Sequence, residues 1–196
     1  MPDTPIGNGG PPPGEADGET GDSEPAPSFI IDVFHDAGDW SEIGGAEHLA
    51  RAAAEVVADE LALRRAEVCI ALSNDAEVAE LNASYRGKPA PTNVLSFPAI
   101  PMVPIEGDPR FLGDVVLALE TLQREAADMG VPLAHHMQHL VVHGLLHLLG
   151  YDHLTDDEAK EMESLEVRIL ARLDVADPYA TAGELIDARK PESERD

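Results

Sequence analysis

Residues 133–153 read LAHHMQHLVVHGLLHLLGYDH, and both fold and chemistry turn on this stretch. From 133 to 149 apolar residues fall on nearly every face, which predicts a helix buried all round rather than one lying on a surface. Gly150 is placed to end it as the left-handed residue after the cap. His143 and His147 stand four apart, so both rings leave one face of the helix about a turn from each other. The glycine then lets the chain reverse and brings His153 back toward the same point. Three neutral imidazoles with a fourth position open is the layout of a catalytic zinc site. A structural site closes its shell, usually with cysteine, and Cys69 is the sole cysteine. A lone i, i+4 histidine pair also arises from packing or chance; the third histidine, across a glycine, favours a ligand set. His139, one turn upstream, reads either as a partner of the ligands or of substrate, or as a packed core residue. His135, His136, His35 and His48 read as surface or structural residues.

The spacing is that of H-E-x-x-H-x-x-G-x-x-H, the zinc signature of metzincin proteases, with Gly144 where the protease carries its general-base glutamate. Losing that base is worth roughly two to four powers of ten in rate, so peptide hydrolysis is disfavoured. A divalent ion still activates water and polarises a phosphoryl or carbonyl oxygen. For a phosphodiester the complementary group is an arginine, which grips phosphate with two parallel hydrogen bonds. Arg86 fits that part: it ends a predicted helix in Asn82-Ala83-Ser84-Tyr85-Arg86-Gly87-Lys88 and precedes Pro91-Thr92-Asn93-Val94-Leu95-Ser96-Phe97-Pro98. Lys88 and Arg110 could supplement it, and all three also read as ordinary surface cations.

Working outward, the periods alternate. Phe29–Phe34 is short and β-branched, a strand. Residues 45–61 carry Leu49, Ala53, Val56, Val57 and Leu61 at helical spacing. Residues 68–72 read as a second strand; Ser73 or Asp75 can cap a helix over 75–85, with Val78, Leu81 and Tyr85 facing inward. A short strand follows at 94–97, a Pro/Gly-rich loop at 98–110, a strand at 114–118 and a helix ending near Met129-Gly130. Thr155 and Glu158 form a capping box that opens a last helix to about Leu173. The order β-α-β-α-β-β-α-α-α predicts an α+β layer structure: a mixed sheet of about four strands covered by about five helices, with the metal site at the C-terminal end of the long buried one.

The chain has 196 residues, enough for one domain with tails. Residues 1–28 hold seven prolines, six glycines and six acids, too little apolar surface to offset chain entropy, so a disordered acidic tail is expected there. The folded unit is expected over 29–177, with a polar C-terminal tail over 178–196. No run of about 18 apolar residues predicts a membrane span, and the N-terminus lacks the basic start and apolar region of a secretory signal. A soluble, cytoplasmic protein is the expectation. There are 38 acidic and 13 basic side chains, a net charge of −25. Split at residues 28, 112 and 174, the charge is −6, −8, −8 and −3, so no basic face is visible. That argues against a generic nucleic-acid binder; a polyanion would have to be held by a few placed cations or by a metal.

HGLLHLLGYDH, taken with LNASYRG, PTNVLSFP and FLGDVV in that order, resembles the YbeY family of bacterial rRNA maturation factors. The motifs span about residues 78–153 and looser similarity covers 29–177. The resemblance implies a metal-dependent, single-strand-specific endoribonuclease, a hydrolase of phosphodiester bonds. It further implies a role in 3′-end maturation of small-subunit rRNA and in ribosome quality control. It implies one Zn2+ per chain at His143, His147 and His153, with Arg86 engaging RNA phosphate, so that Arg86, His143 and His147 carry catalysis. Implied partners are single-stranded rRNA and the small ribosomal subunit; the acidity would suit a ribosome-assembly GTPase or a small-subunit ribosomal protein. The family usually has aspartate where this chain has Asn93, which removes a carboxylate while leaving a loop-capping role open. Asp152, beside His153, reads as orienting a ligand, acting on the leaving group, or simply holding a turn. Two other readings stand beside the nuclease. One is a ribosome-biogenesis binding factor whose metal is structural; the other is a metal-dependent hydrolase of small phosphoesters or amides.

Overall fold

A computed structural model describes residues 29–100 and 108–180. The expected N-terminal tail, residues 181–196 of the expected C-terminal one and loop positions 101–107 lie outside the described residues. The elements run β1 (Ile30–His35), α1 (Ala46–Glu60), β2 (Ala66–Ser73), α2 (Asp75–Arg86), β3 (Val94–Pro98), β4 (Arg110–Ala118), α3 (Leu119–Met129), α4 (Leu133–Leu148) and α5 (Asp156–Ala171). This is the predicted order, and the fold is α+β. The sheet order is β1-β2-β4-β3. β1, β2 and β4 are parallel, and β3 runs antiparallel to β4.

Alternation along the strands divides the core in two. Ile70, Leu72, Val115 and Leu117 face the main core with α1, α3, α4 and α5, whereas Ala71, Leu95 and Val116 face α2 through Val78 and Leu81. α4 lies in the main core: Met137, Val141, Val142, Leu145 and Leu146 are fully buried, each contributing roughly 1.5–3 kcal/mol by leaving water. Deep burial is what an apolar pattern on nearly every face predicts, and the face left part-buried is the one that carries His139, His143 and His147. α5 begins with the expected capping box: Thr155 accepts from the Glu158 N–H while Glu158 accepts from the Thr155 N–H.

Three local expectations are corrected, and one element is added. The α2 cap is Asn74, whose side chain accepts from the Glu77 N–H; Ser73 instead donates to Asp36 and Asp75 accepts from Thr121 at the start of α3. Tyr85 points outward and is 72% exposed, its ring 4.8 Å from that of Phe97. β4 starts at Arg110 rather than 114. A register shift opposite Glu67/Val68 lets it continue through Gly113, whose φ of +135° and closeness to the Phe97 carbonyl admit only glycine. A short 3-10 turn at Trp40–Glu42 was not foreseen; it buries Trp40, whose indole N–H donates to the carbonyls of Ala37 and Ser73. Among the described residues no helix is long and apolar enough to cross a membrane.

Candidate metal centre

α4 ends in a Schellman turn. Gly150, at φ +94°, donates to the His147 carbonyl at 3.1 Å, and Tyr151 donates to the Leu146 carbonyl at 3.0 Å. The reversed chain places His153 against the helix. Its ring centroid lies 5.6 Å from that of His143 and 5.1 Å from that of His147, and the two helix rings are 4.6 Å apart. One nitrogen from each of the three lies within 4.8 Å of the others. The convergence predicted from spacing is present.

Partners of the outer ring nitrogens fix how the inner ones face. His143 Nδ1 lies 2.8 Å from Glu166 Oε1, and His147 Nδ1 lies 3.0 Å from the Tyr151 carbonyl oxygen. An ionised carboxylate and a carbonyl can only accept, so both Nδ1 atoms carry the hydrogen and, in the neutral rings that bind metals, both Nε2 atoms present lone pairs. Those two Nε2 atoms are 3.1 Å apart, lone pair toward lone pair, an arrangement that a shared cation satisfies. This is the carboxylate–histidine–metal pattern seen from the ligand side, and the donor set suits a zinc-like ion. Burial, followed by repulsion from His143 and His153, pushes the His147 imidazole below its ordinary 6.5, which favours the neutral form a ligand needs.

Glu166 was not foreseen. It is fully buried in the face of α5 that also carries Met162, Leu165, Ile169 and Leu170. Burial alone would raise its pKa, but hydrogen bonds from His139, His143 and Tyr179 outweigh that and hold it down to about 2. It is therefore ionised at any working pH. The readable signal was a glutamate in the apolar register of an amphipathic helix. Tyr179 lies beyond residue 177, where the tail was expected to begin, yet its hydroxyl donates to Glu166 and its ring meets His139 edge-on at 5.9 Å. His139 reaches the same carboxylate at 3.4 Å, so it shares an acceptor with His143. His136 is buried against Glu125 at 2.8 Å, and His35 pairs with Glu47 on the surface.

A cleft of about 560 Å³ opens over the three histidines. Arg86, Asn93, Ser96 and Asp152 line it with them. Arg86 is exposed at the end of α2, where Asn82 donates to the Ala90 carbonyl at 2.8 Å and ties down the loop that follows. No ion pair among the described residues engages it. Lys88 and Arg110, offered as supplements, do not line the cleft; Arg110 opens β4 beside Ala66, at the opposite end of the strand from Ala118. Asp152 accepts from the His153 N–H at 2.8 Å and so holds the turn. Asn93 accepts from the Val94 N–H at 2.7 Å, which is the capping role left open to it, and donates to Glu125 at 3.0 Å. Gly144 faces the sheet: a Cβ there would stand 2.8 Å from Val115 Cγ1 and 3.1 Å from Ser96 Oγ. The protease's glutamate has no room at this position.

Residues 39–174 match the family described as Endoribonuclease YbeY. Three curated relatives, each named Endoribonuclease YbeY, come from Parvibaculum lavamentivorans, Rhodopseudomonas palustris and Sinorhizobium medicae. They are 52%, 49% and 45% identical over 157, 154 and 157 residues, covering 76%, 77% and 76% of this chain and 84%, 81% and 94% of theirs. The solution structure of TM1509 from Thermotoga maritima matches at TM-score 0.49 and 22% identity, over 78% of this chain and all of that one. With the family profile covering most of the folded residues, and relatives near half identity over most of their own length, the chain belongs to the YbeY family.

Proposed function

We propose that this protein is a zinc-dependent, single-strand-specific endoribonuclease of the cytoplasm, acting in 3′-end maturation of small-subunit rRNA and in ribosome quality control. The observation that carries the reading is the pair of Nε2 lone pairs of His143 and His147, turned toward one point beside His153, in a cleft that also exposes Arg86. Zinc bound there would supply Lewis acidity toward a phosphoryl oxygen and activate a water or ribose hydroxyl. Glu166 and the Tyr151 carbonyl hold the ligand imidazoles in the metal-binding tautomer. Arg86, with which no carboxylate among the described residues pairs, receives the phosphate and stabilises the charge that develops on it. With Gly144 against the sheet, no side chain at that position can act as a protease-type base.

The acidity of the chain confines phosphate binding to this cleft and suits a basic protein partner, such as a small-subunit ribosomal protein or a ribosome-assembly GTPase, in bringing rRNA to it. His147→Ala is expected to lose zinc and RNA cleavage together. Arg86→Ala keeps zinc, measured by elemental analysis, and loses on the order of 10²–10³ in cleavage rate. Normal cleavage by Arg86→Ala would remove the phosphate role. A zinc-loaded protein that docks on ribosomal subunits and leaves single-stranded RNA intact would mark a binding factor.

A further inference from the structure

The histidine row of α4 continues past the metal group into a second cavity of about 470 Å³, walled by Asn93, Glu125, Asp128, His136, His139 and Tyr179. Its size falls within the roughly 300–1,000 Å³ of small-ligand sites. Asn93 and His143 line both this cavity and the Arg86 cleft, so a strand laid over His143 passes from one into the other. Their chemistry is opposite. The first cleft exposes an arginine. The second exposes the carboxylates of Glu125 and Asp128, three positions apart on α3, and among the described residues no lysine or arginine lines it. A phosphate is repelled there, whereas a group that donates hydrogen bonds is drawn in.

Glu125 is held in place. Asn93 Nδ2 lies 3.3 and 3.0 Å from its two oxygens, and His136 Nε2 lies 2.8 Å from Oε2. Oε1 is thus left with one long contact and spare acceptor capacity. An aspartate at position 93 would set two carboxylates against each other; the asparagine amide instead donates and fixes the glutamate. Met129 and Leu140 supply apolar wall, and the His139 and Tyr179 rings, 86° apart, supply flat faces of two orientations.

We infer that this cavity receives an unstacked nucleobase next to the phosphate held at Arg86, and that Glu125 makes guanine the preferred base. The inference rests on the RNA-cleaving reading above. Bases of single-stranded RNA are recognised by stacking on aromatic side chains and by hydrogen bonds to their edges. Guanine presents N1–H and the N2 amino group side by side with no acceptor between them, so either donor can meet the spare capacity of Glu125 Oε1. Adenine and cytosine set one amino group beside an acceptor nitrogen, and uracil sets one imino group between two carbonyl oxygens.

The test uses the zinc-loaded full chain and its Glu125→Gln variant, each with zinc content and melting temperature measured. Cleavage is compared on single-stranded RNAs that differ at one base, and amide shifts of α4 are followed by NMR on titration with guanosine or uridine 5′-monophosphate. Wild type is expected to cleave beside guanine, and to bind the guanine nucleotide, roughly ten- to a hundredfold better than the uracil counterparts. Glu125→Gln keeps zinc and collapses that ratio toward unity. Equal cleavage at all bases by wild type, or an undiminished guanine ratio in the variant, overturns the base pocket and leaves the ribonuclease reading standing. Failure of wild type to cut any RNA overturns the ribonuclease reading instead. The nucleotide titration then decides the pocket alone: a guanine preference lost in Glu125→Gln supports it, and equal binding of the two nucleotides removes it.

Discussion

α4 carries the same side chain at 136, 139, 143 and 147, and its two halves use it differently. In the N-terminal half each Nε2 meets a carboxylate: His136 meets Glu125 at 2.8 Å and His139 meets Glu166 at 3.4 Å. In the C-terminal half the acceptors lie on Nδ1 and the Nε2 atoms face each other. A histidine whose Nε2 already has a carboxylate has that nitrogen spoken for. One whose Nδ1 is satisfied, with Nε2 left over, is free to act as a ligand. Residue type and helical spacing are the same in both halves; the position of the hydrogen-bond acceptor decides between them. Glu166 stands at the boundary, accepting from both His139 and His143.

The largest effect that could break this contrast concerns the seat of the C-terminal half. If α4 must lie this close to the sheet for His143 and His147 to point at one place, added volume at Gly144 is severe. Gly144→Ala is expected to lower the free energy of unfolding by about 1–3 kcal/mol through overpacking against Val115. Gly144→Glu is expected not to yield folded protein, because it adds a buried charge without a partner. Urea unfolding checks both, and a stable Gly144→Glu protein would show that the helix can lift off the sheet without harm.

Next in size is the outer carboxylate. Glu166→Gln keeps the shape of the side chain but removes the charge that holds the His143 hydrogen on Nδ1. Zinc affinity, measured by competition with a chelator, is expected to fall about 10–100-fold, while His136→Gln leaves it unchanged. If both variants bind zinc like wild type, the two halves of α4 do not differ in the way described. His136→Gln should instead reduce stability by about 1 kcal/mol, since it weakens the part-buried hydrogen bond to Glu125.

Much of this architecture is legible from residues alone, for identifiable reasons. α4 is readable because apolar residues on nearly every helical face have few outcomes other than a buried helix. The capping box of α5 and the Gly150 turn are local devices that act through neighbours in sequence. The strand start at Arg110 was hidden because Pro109 and Gly113 are loop residues by local chemistry, and only pairing with β2 makes the glycine a bulge. Capping by Asn74 was misread because Ser73 and Asp75 are equally good caps until Asp36 and Thr121 claim them. The three converging imidazoles were legible because they lie within eleven residues. Glu166 and Tyr179 were not, since their roles depend on α5 and the segment after it folding back on α4.

The smallest expected effect comes from pH, and it separates a structural histidine from a ligand without using metal. In the folded chain His136 is pushed below its ordinary value of 6.5, first by burial and further by His139, with the hydrogen bond and charge of Glu125 pulling the other way. The unfolded chain therefore takes up this proton at a higher pH than the folded one. The contribution of His136 is intact above about pH 6.5 and is lost as pH falls from there toward the lower folded value, because protonation in that window favours the unfolded state. With zinc removed by chelator, so that ligand protonation linked to metal does not enter, the urea midpoint of wild type should fall more steeply between pH 7 and pH 5 than that of His136→Gln. The difference between the two curves isolates the one residue, since His139, His143 and His147 are common to both proteins. Parallel curves would mean that Glu125 balances burial completely, and that His136 is held as much by charge as by packing.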